Sequence, residues 1–202
     1  GLTISVTATG DVDKDKIAYR SGAGANDLIC LSGDLGAAYM GLHLLEREKR
    51  ACGGQPDPKP KFEGHEYILG RQLKPEARTD IIERLAEAGI VPTSMIDITD
   101  GLASETLHLC KSSGCGARIY LERLPIARQT HDMAEELHAD PVVAALNGGQ
   151  DYELLFTVPL SKQQEIFALG VDVIGHVTAA GTGAMLVTPD GSEIALKAPG
   201  WK

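Results

Sequence analysis

The spacing of apolar positions along the chain changes between two periods, and these changes predict its elements. Strict alternation over residues 2–8 predicts a half-buried strand. Short apolar runs predict further strands at residues 28–31, 94–99, 117–121, 152–158 and 171–177, and a hairpin of residues 185–187 with 193–196. Helical spacing predicts helices that begin near Asp34, Lys74, Gly101, Asp140 and Ser161, and an acidic helix around Met133 to Leu137. This uneven mixture of strands and helices predicts an α+β fold built on a mixed sheet.

The run at residues 94–102, Ser-Met-Ile-Asp-Ile-Thr-Asp-Gly-Leu, predicts a strand, a turn and a helix start. Alternation places Met95, Asp97 and Thr99 on one face of the strand, and Asp100 lies at the entrance of the helix. Two carboxylates and a hydroxyl in this arrangement suit a hard divalent cation and the phosphate oxygens that it bridges. The alternative is structural: Asp100 is then an N-cap and Asp97 a hydrogen-bonded residue at the strand end.

Three further stretches carry candidate residues. Arg20 lies in a glycine-rich loop, where the structural interpretation is a solvated loop charge. Asp34 follows the second predicted strand and is predicted to cap the next helix. Gly148 and Gly149 permit either a close backbone approach to a ligand or a sharp bend.

Composition limits the classes of function. The 202 residues include 19 Lys and Arg against 28 Asp and Glu, for a formal net charge of -9, which argues against nucleic-acid binding. A phosphorylated ligand would therefore arrive most readily as a magnesium complex. No apolar run reaches the length of a membrane span, and residues 1–10 lack the basic start and apolar core of a signal peptide. The four cysteines lack zinc-site spacing, so we expect reduced thiols and a cytoplasmic protein.

Several stretches together resemble thiamine-monophosphate kinases, which belong to the superfamily of aminoimidazole ribonucleotide synthetase and selenophosphate synthetase. The order and approximate spacing of these stretches agree over nearly the whole chain. The stretches are residues 2–8, Arg20-Ser21-Gly22-Ala23, Ser32-Gly33-Asp34-Leu35-Gly36, residues 95–102, residues 148–156 and Gly200-Trp201-Lys202.

The resemblance implies a specific division of the chain. Residues 1–33 would be the last strands of an N-terminal ATP-binding domain and the connection from it. Residues 34–202 would be the complete C-terminal α+β domain of the aminoimidazole ribonucleotide synthetase-like type. The chain alone would then be inactive as a kinase, and the full-length protein would be a homodimer.

The resemblance also implies roles for six residues. Asp97 and Asp100 would bind Mg²⁺, and Thr99, where the family usually has serine, would contact ATP together with Arg20. Gln150 stands where the family has a glutamate that contacts the substrate. Trp201 matches an aromatic substrate contact, a role suited to a cationic thiazolium ring, although burial of a terminal aromatic explains it equally well.

The implied reaction transfers the terminal phosphoryl group of ATP to thiamine monophosphate with Mg²⁺, giving thiamine diphosphate. Such transfer needs positioning and charge neutralisation more than a nucleophilic side chain. Because Gln150 lacks the family's charge, an ATP-dependent enzyme of the same superfamily with another acceptor remains an alternative. A second alternative, from a different class of function, is a non-catalytic binding or dimerisation module.

Overall fold

The computed structural model of this protein describes residues 1–54 and 59–198. Within them seven strands form, at Leu28–Leu31 (β1), Ser94–Asp97 (β2), Gly116–Tyr120 (β3), Leu154–Val158 (β4), Asp172–Thr178 (β5), Ala184–Val187 (β6) and Glu193–Ala195 (β7). Seven α-helices accompany them, at Ala37–Cys52 (α1), Glu66–Leu73 (α2), Thr79–Glu87 (α3), Leu102–Ser113 (α4), Arg128–Glu136 (α5), Pro141–Asn147 (α6) and Gln163–Ala168 (α7). None of these helices is both long and apolar enough to cross a membrane.

The described strands form a single mixed sheet in the order β2-β4-β1-β5-β3-β6-β7. Neighbours are antiparallel except β3 and β6, which run parallel. The predicted hairpin is confirmed, because Leu186 of β6 pairs with Ile194 of β7. The predicted α+β class with a mixed sheet is therefore confirmed.

Helices cover both faces of the sheet. The central strand β1 shows this most clearly, since it is an unbroken apolar run whose four residues are all buried. Ile29 and Leu31 pack in the same cluster as Leu102 of α4, while Leu28 and Cys30 pack with Ile81 of α3. A third cluster joins α1, α2, α5 and α6 beside the sheet. The candidate site lies at the edge of the sheet formed by β2.

The strand predicted over residues 2–8 is wrong for this structure. These residues form no strand, and Leu2, Ile4 and Val6 are 88%, 76% and 86% exposed. A strand requires a hydrogen-bonded neighbour, and the described part of the chain offers none to this segment.

Two helix starts also differ from prediction. The helix expected from Lys74 begins at Thr79, and α2 was not predicted at all. Of the eight residues of α2 only Ile68 is buried, so its apolar pattern is too weak to identify it from sequence. Asp34 does not cap α1, which has Gly36 at its N-cap; the carboxylate of Asp34 instead accepts a 2.6 Å hydrogen bond from the Tyr67 hydroxyl.

Candidate functional site

The edge strand β2 carries the first part of the site. Its buried face is formed by Ser94 and Ile96 and continues to Ile98, all at most 8% exposed, whereas Asp97 points to solvent. The alternation predicted from the sequence is therefore confirmed. It leaves the carboxylate of Asp97 accessible at the end of the strand.

Beyond β2 the chain continues to pair with the segment that precedes β4. The Tyr152 N–H donates to the Ile98 carbonyl at 2.9 Å, and the Gln150 N–H donates to the Thr99 carbonyl at 2.8 Å. These two bonds extend the β2–β4 pairing into irregular backbone. They bring Gln150 beside Thr99, although about fifty positions separate the two residues.

Two glycines allow this close packing. Gly149 has φ 71°, and a Cβ atom there would lie 2.4 Å from the Thr99 carbonyl oxygen. Gly101 has φ 106°, and a Cβ atom there would lie 2.6 Å from the Leu146 carbonyl oxygen. Of the two roles considered for the Gly148-Gly149 pair, the structure supports the sharp bend, with close approach to the protein's own backbone. We call residues 97–101 with residues 148–150 the double turn.

Two carboxylates project from the double turn. The side chains of Asp97 and Asp100 are exposed, and neither makes a hydrogen bond or ion pair with residues 1–54 or 59–198. The N-cap of α4 is Gly101, and no side chain caps this helix, so the capping role considered for Asp100 is wrong. Two unpaired carboxylates suit Mg²⁺, a cation that typically keeps water and phosphate oxygens among its ligands. No group of three or more acidic, His or Cys side chains suited to a metal occurs among the described residues.

Sequence reasoning missed Glu105, which lies directly beneath the double turn. Glu105 is 2% exposed, and its Oε1 accepts from the Thr99 hydroxyl and from the Asp100 N–H, each at 3.3 Å. Burial raises the pKa of its carboxyl group, against the two donors that lower it. The available signal was an acidic residue in the first turn of α4, close to the spacing of a capping box.

The remaining predicted site residues lie at different places. Gln150 is half-buried in the double turn. Arg20 is exposed and lies near the opposite end of β2, because the Tyr19 carbonyl accepts from the Met95 N–H and Gly22 packs against Thr93. The structure therefore does not bring Arg20 into the double turn. Trp201 lies outside the described residues.

A buried ionic network holds the double turn from the side of β4. Glu153, 2% exposed, forms ion pairs with Arg71 of α2, at 2.8 Å, and with Arg78 just before α3. The Ser32 hydroxyl also donates to Glu153, and the Leu154 N–H donates to the Ser32 hydroxyl at 2.8 Å. The segment that follows Gln150 is thereby fixed to two helices.

The double turn, the helices and strands β1 to β6 of the sheet lie within a stretch of the chain that matches a known family. Residues 24–188 match the family described as AIR synthase related protein, C-terminal domain, and this chain belongs to that family.

The chain is also similar to several thiamine-monophosphate kinases. The chain is 32% identical over 202 residues to the thiamine-monophosphate kinase of Aquifex aeolicus and 34% identical over 210 aligned positions to that of Escherichia coli. It covers 58% of each of these proteins. A solved structure described as "AaThiL complexed with AMPPCP and TMP" is similar with a TM-score of 0.72 at 32% identity, over 92% of this chain and 53% of that one.

Proposed function

We propose that this chain is the C-terminal part of an ATP-dependent thiamine-monophosphate kinase of thiamine biosynthesis. The observation that carries the proposal is the pair of unpaired carboxylates, Asp97 and Asp100, on a double turn that also holds Thr99 and Gln150. The similarity to thiamine-monophosphate kinases over the whole chain supports the choice of reaction.

Each residue of the site has a proposed role. Asp97 and Asp100 hold Mg²⁺, and Thr99 contacts the bound nucleotide. Arg20 contacts the ATP phosphates through its permanently charged guanidinium group. Gln150 and Trp201 contact the acceptor. Mg²⁺, when bound, supplies charge neutralisation between the two anionic substrates.

The chain's own contribution to the reaction is rigid positioning. An oxygen of the acceptor phosphate forms a bond to the terminal phosphorus of ATP, the bond from that phosphorus to the ADP oxygen breaks, and ADP leaves. The acceptor phosphate is already a nucleophile near neutral pH, so no side chain needs to be activated. The double turn fixes the backbone that carries its carboxylates before the substrates arrive, which lowers the entropic cost of bringing the substrates together.

The other part of the active site is proposed to lie in a preceding ATP-binding domain, of which the residues before β1 are the last strand and the connection. The boundary predicted after residue 33 falls too late, because β1 is the central strand of the sheet described here and pairs with both β4 and β5. The alternating pattern of residues 2–8, with exposed Leu2, Ile4 and Val6, supports this division because it is suited to a strand whose partner lies elsewhere. The chain covers only 58% of the Aquifex aeolicus relative, which also supports a further domain in the full-length protein. We propose that the full-length protein is a cytoplasmic homodimer.

Two rival functions remain distinct in what they predict. A related enzyme with a different acceptor would share the nucleotide site and differ at Gln150. A binding or dimerisation module would have no use for unpaired carboxylates at Asp97 and Asp100. Assays of the full-length protein distinguish the kinase from these two rival functions.

The test is a kinase assay of the full-length protein with ATP, Mg²⁺ and thiamine monophosphate. We expect turnover in the wild type and its loss, by about 100-fold or more, in Asp97→Asn and Asp100→Asn. Asp132→Asn is the matched control, because Asp132 is an exposed aspartate on α5 whose nearest ion pair, to Arg128, is a loose 3.7 Å contact. Unchanged rates and magnesium dependence in both site variants would reject the metal role. Turnover of another acceptor only would reject the substrate.

A further inference from the structure

The buried Glu105 uses one oxygen for two donors of the double turn. Its Oε1 accepts from the Thr99 hydroxyl and the Asp100 N–H, each at 3.3 Å, while its Oε2 is buried without a partner among the described residues. Two donors converge on Oε1, so this atom acts as an acceptor whether or not Oε2 carries a proton. The hydrogen bonds from the Thr99 hydroxyl and the Asp100 N–H can therefore form in either protonation state of Glu105.

This arrangement determines what Thr99 can offer a ligand. A hydroxyl group has one proton, and in this structure Thr99 donates it inward to Glu105. The Thr99 carbonyl is also occupied, by the Gln150 N–H at 2.8 Å. With its proton donated to Glu105, the Thr99 Oγ1 keeps two lone pairs and can still accept. A phosphate oxygen has no proton to share, so it cannot bond to Thr99 unless the bond to Glu105 breaks.

We propose that Glu105 is a positioning residue that directs the Thr99 proton inward and leaves Oγ1 as an oxygen acceptor toward the hydrated cation that Asp97 and Asp100 would hold. Thr99 then contacts the nucleotide complex through its cation and water shell, and not as a donor to a phosphate. Glu105 touches neither substrate and acts through the residues that it holds. This inference rests on the function proposed above and assigns a chemical role within that site.

The first test concerns positioning alone and needs no ligand. Amide hydrogen exchange, followed by NMR, measures the protection of the Asp100 N–H. Glu105→Gln keeps an acceptor oxygen, so we expect protection close to that of the wild type, whereas Glu105→Met should raise the exchange rate by about tenfold. Equal rates in Glu105→Met and the wild type would overturn the positioning role.

The neighbouring residue supplies a matched control. Thr106 is 1% exposed on the same helix, and its hydroxyl has no partner within the described chain. Thr106→Val should leave the exchange of Asp100 unchanged while perturbing the same helix. If Thr106→Val accelerates exchange as much as Glu105→Met, the effect comes from loosening of α4 and the proposal is wrong.

The second test concerns Thr99 and uses titration calorimetry of the full-length protein with AMPPCP, with and without Mg²⁺. If Thr99 faces the cation, Thr99→Val should weaken binding by about tenfold with Mg²⁺ and change it little without Mg²⁺, while Thr99→Ser binds like the wild type. Equal losses with and without Mg²⁺ would mean that Thr99 donates to phosphate, which overturns the proposal.

The two tests fail separately. If the wild type binds no AMPPCP even with Mg²⁺, the proposed function fails, but the exchange of Asp100 still decides whether Glu105 holds the turn. If binding is normal and Glu105→Met changes neither exchange nor affinity, only the role of Glu105 fails.

Discussion

The buried carboxylate of Asp151 accepts a hydrogen bond from the Gly36 N–H at 2.9 Å, although 115 positions separate the two residues. A second bond, from the Ala38 N–H at 3.4 Å, completes a cap on the start of α1. Because Asp151 directly follows Gln150, the same short segment ends the double turn and caps the longest described helix. Burial raises the pKa of Asp151 to about 6 despite these donors.

This raised pKa predicts a pH dependence of stability. In the folded state the carboxyl binds its proton more tightly than in the unfolded state, so its contribution is fully present below about pH 4 and is lost as the pH rises through 6. The free energy of unfolding of the wild type, measured against Asp151→Asn, should fall by up to about 3 kcal/mol between pH 4 and pH 7. Urea unfolding at several pH values measures this difference. A difference that is constant with pH would contradict the prediction.

Gly149→Ala should destabilise the protein strongly. An alanine at this position would have to adopt a left-handed backbone, with φ 71°. Its Cβ atom would also lie 2.4 Å from the Thr99 carbonyl oxygen. Gly170→Ala is the control, because Gly170 has φ 63° and no atom near the added Cβ. We expect a loss of about 1 kcal/mol for Gly170→Ala and about 3 kcal/mol or more for Gly149→Ala by chemical denaturation. Equal losses would mean that the double turn relaxes without cost.

Glu153→Gln should also destabilise the fold. The change removes the buried charge that faces Arg71 and Arg78, whose side chains are each only 19% exposed. Arg78 keeps its ion pair with Asp80, whereas Arg71 loses the carboxylate that it pairs with, so the free energy of unfolding should fall by about 3 kcal/mol. Glu165→Gln, which loses only a surface pair with Lys162, is the control and should leave the urea midpoint unchanged. A stable Glu153→Gln variant would show that the network contributes little.

Gln150→Glu tests the identity of the acceptor. Thiamine monophosphate carries a cationic thiazolium ring, and a carboxylate at this half-buried position should attract it. We expect the KM for thiamine monophosphate to fall by about threefold to tenfold in the full-length protein, with a gain that shrinks at high salt. A variant that binds thiamine monophosphate more weakly than the wild type would favour the rival enzyme with another acceptor.

The sequence by itself determined the features that depend on near neighbours. The alternation of residues 94–98 settled which side chains of β2 are buried, and the continuous run of β1 agreed with a strand covered on both faces. Asp140 before Pro141 identified the start of α6, where its carboxylate accepts from the Val142 N–H at 2.8 Å. The hairpin of β6 and β7 followed from two short runs joined by a turn. Each of these signals spans one element or one turn, so periodicity and turn chemistry suffice to detect it.

Tertiary structure alone decided the features in which distant segments meet. The cap of α1 comes from Asp151 and not from the nearby Asp34, because the N–H groups at a buried helix start donate to whichever carboxylate the fold brings there. Residues 2–8 alternate as a strand should, yet alternation supplies a face and not a hydrogen-bonded partner. The meeting of Thr99 with Gln150 likewise depends on the pairing of β2 with β4. Local pattern identified Asp97, Thr99, Asp100 and Gln150, and the packing of remote backbone brings these four residues together. It missed Glu105, whose contacts form only in the folded chain.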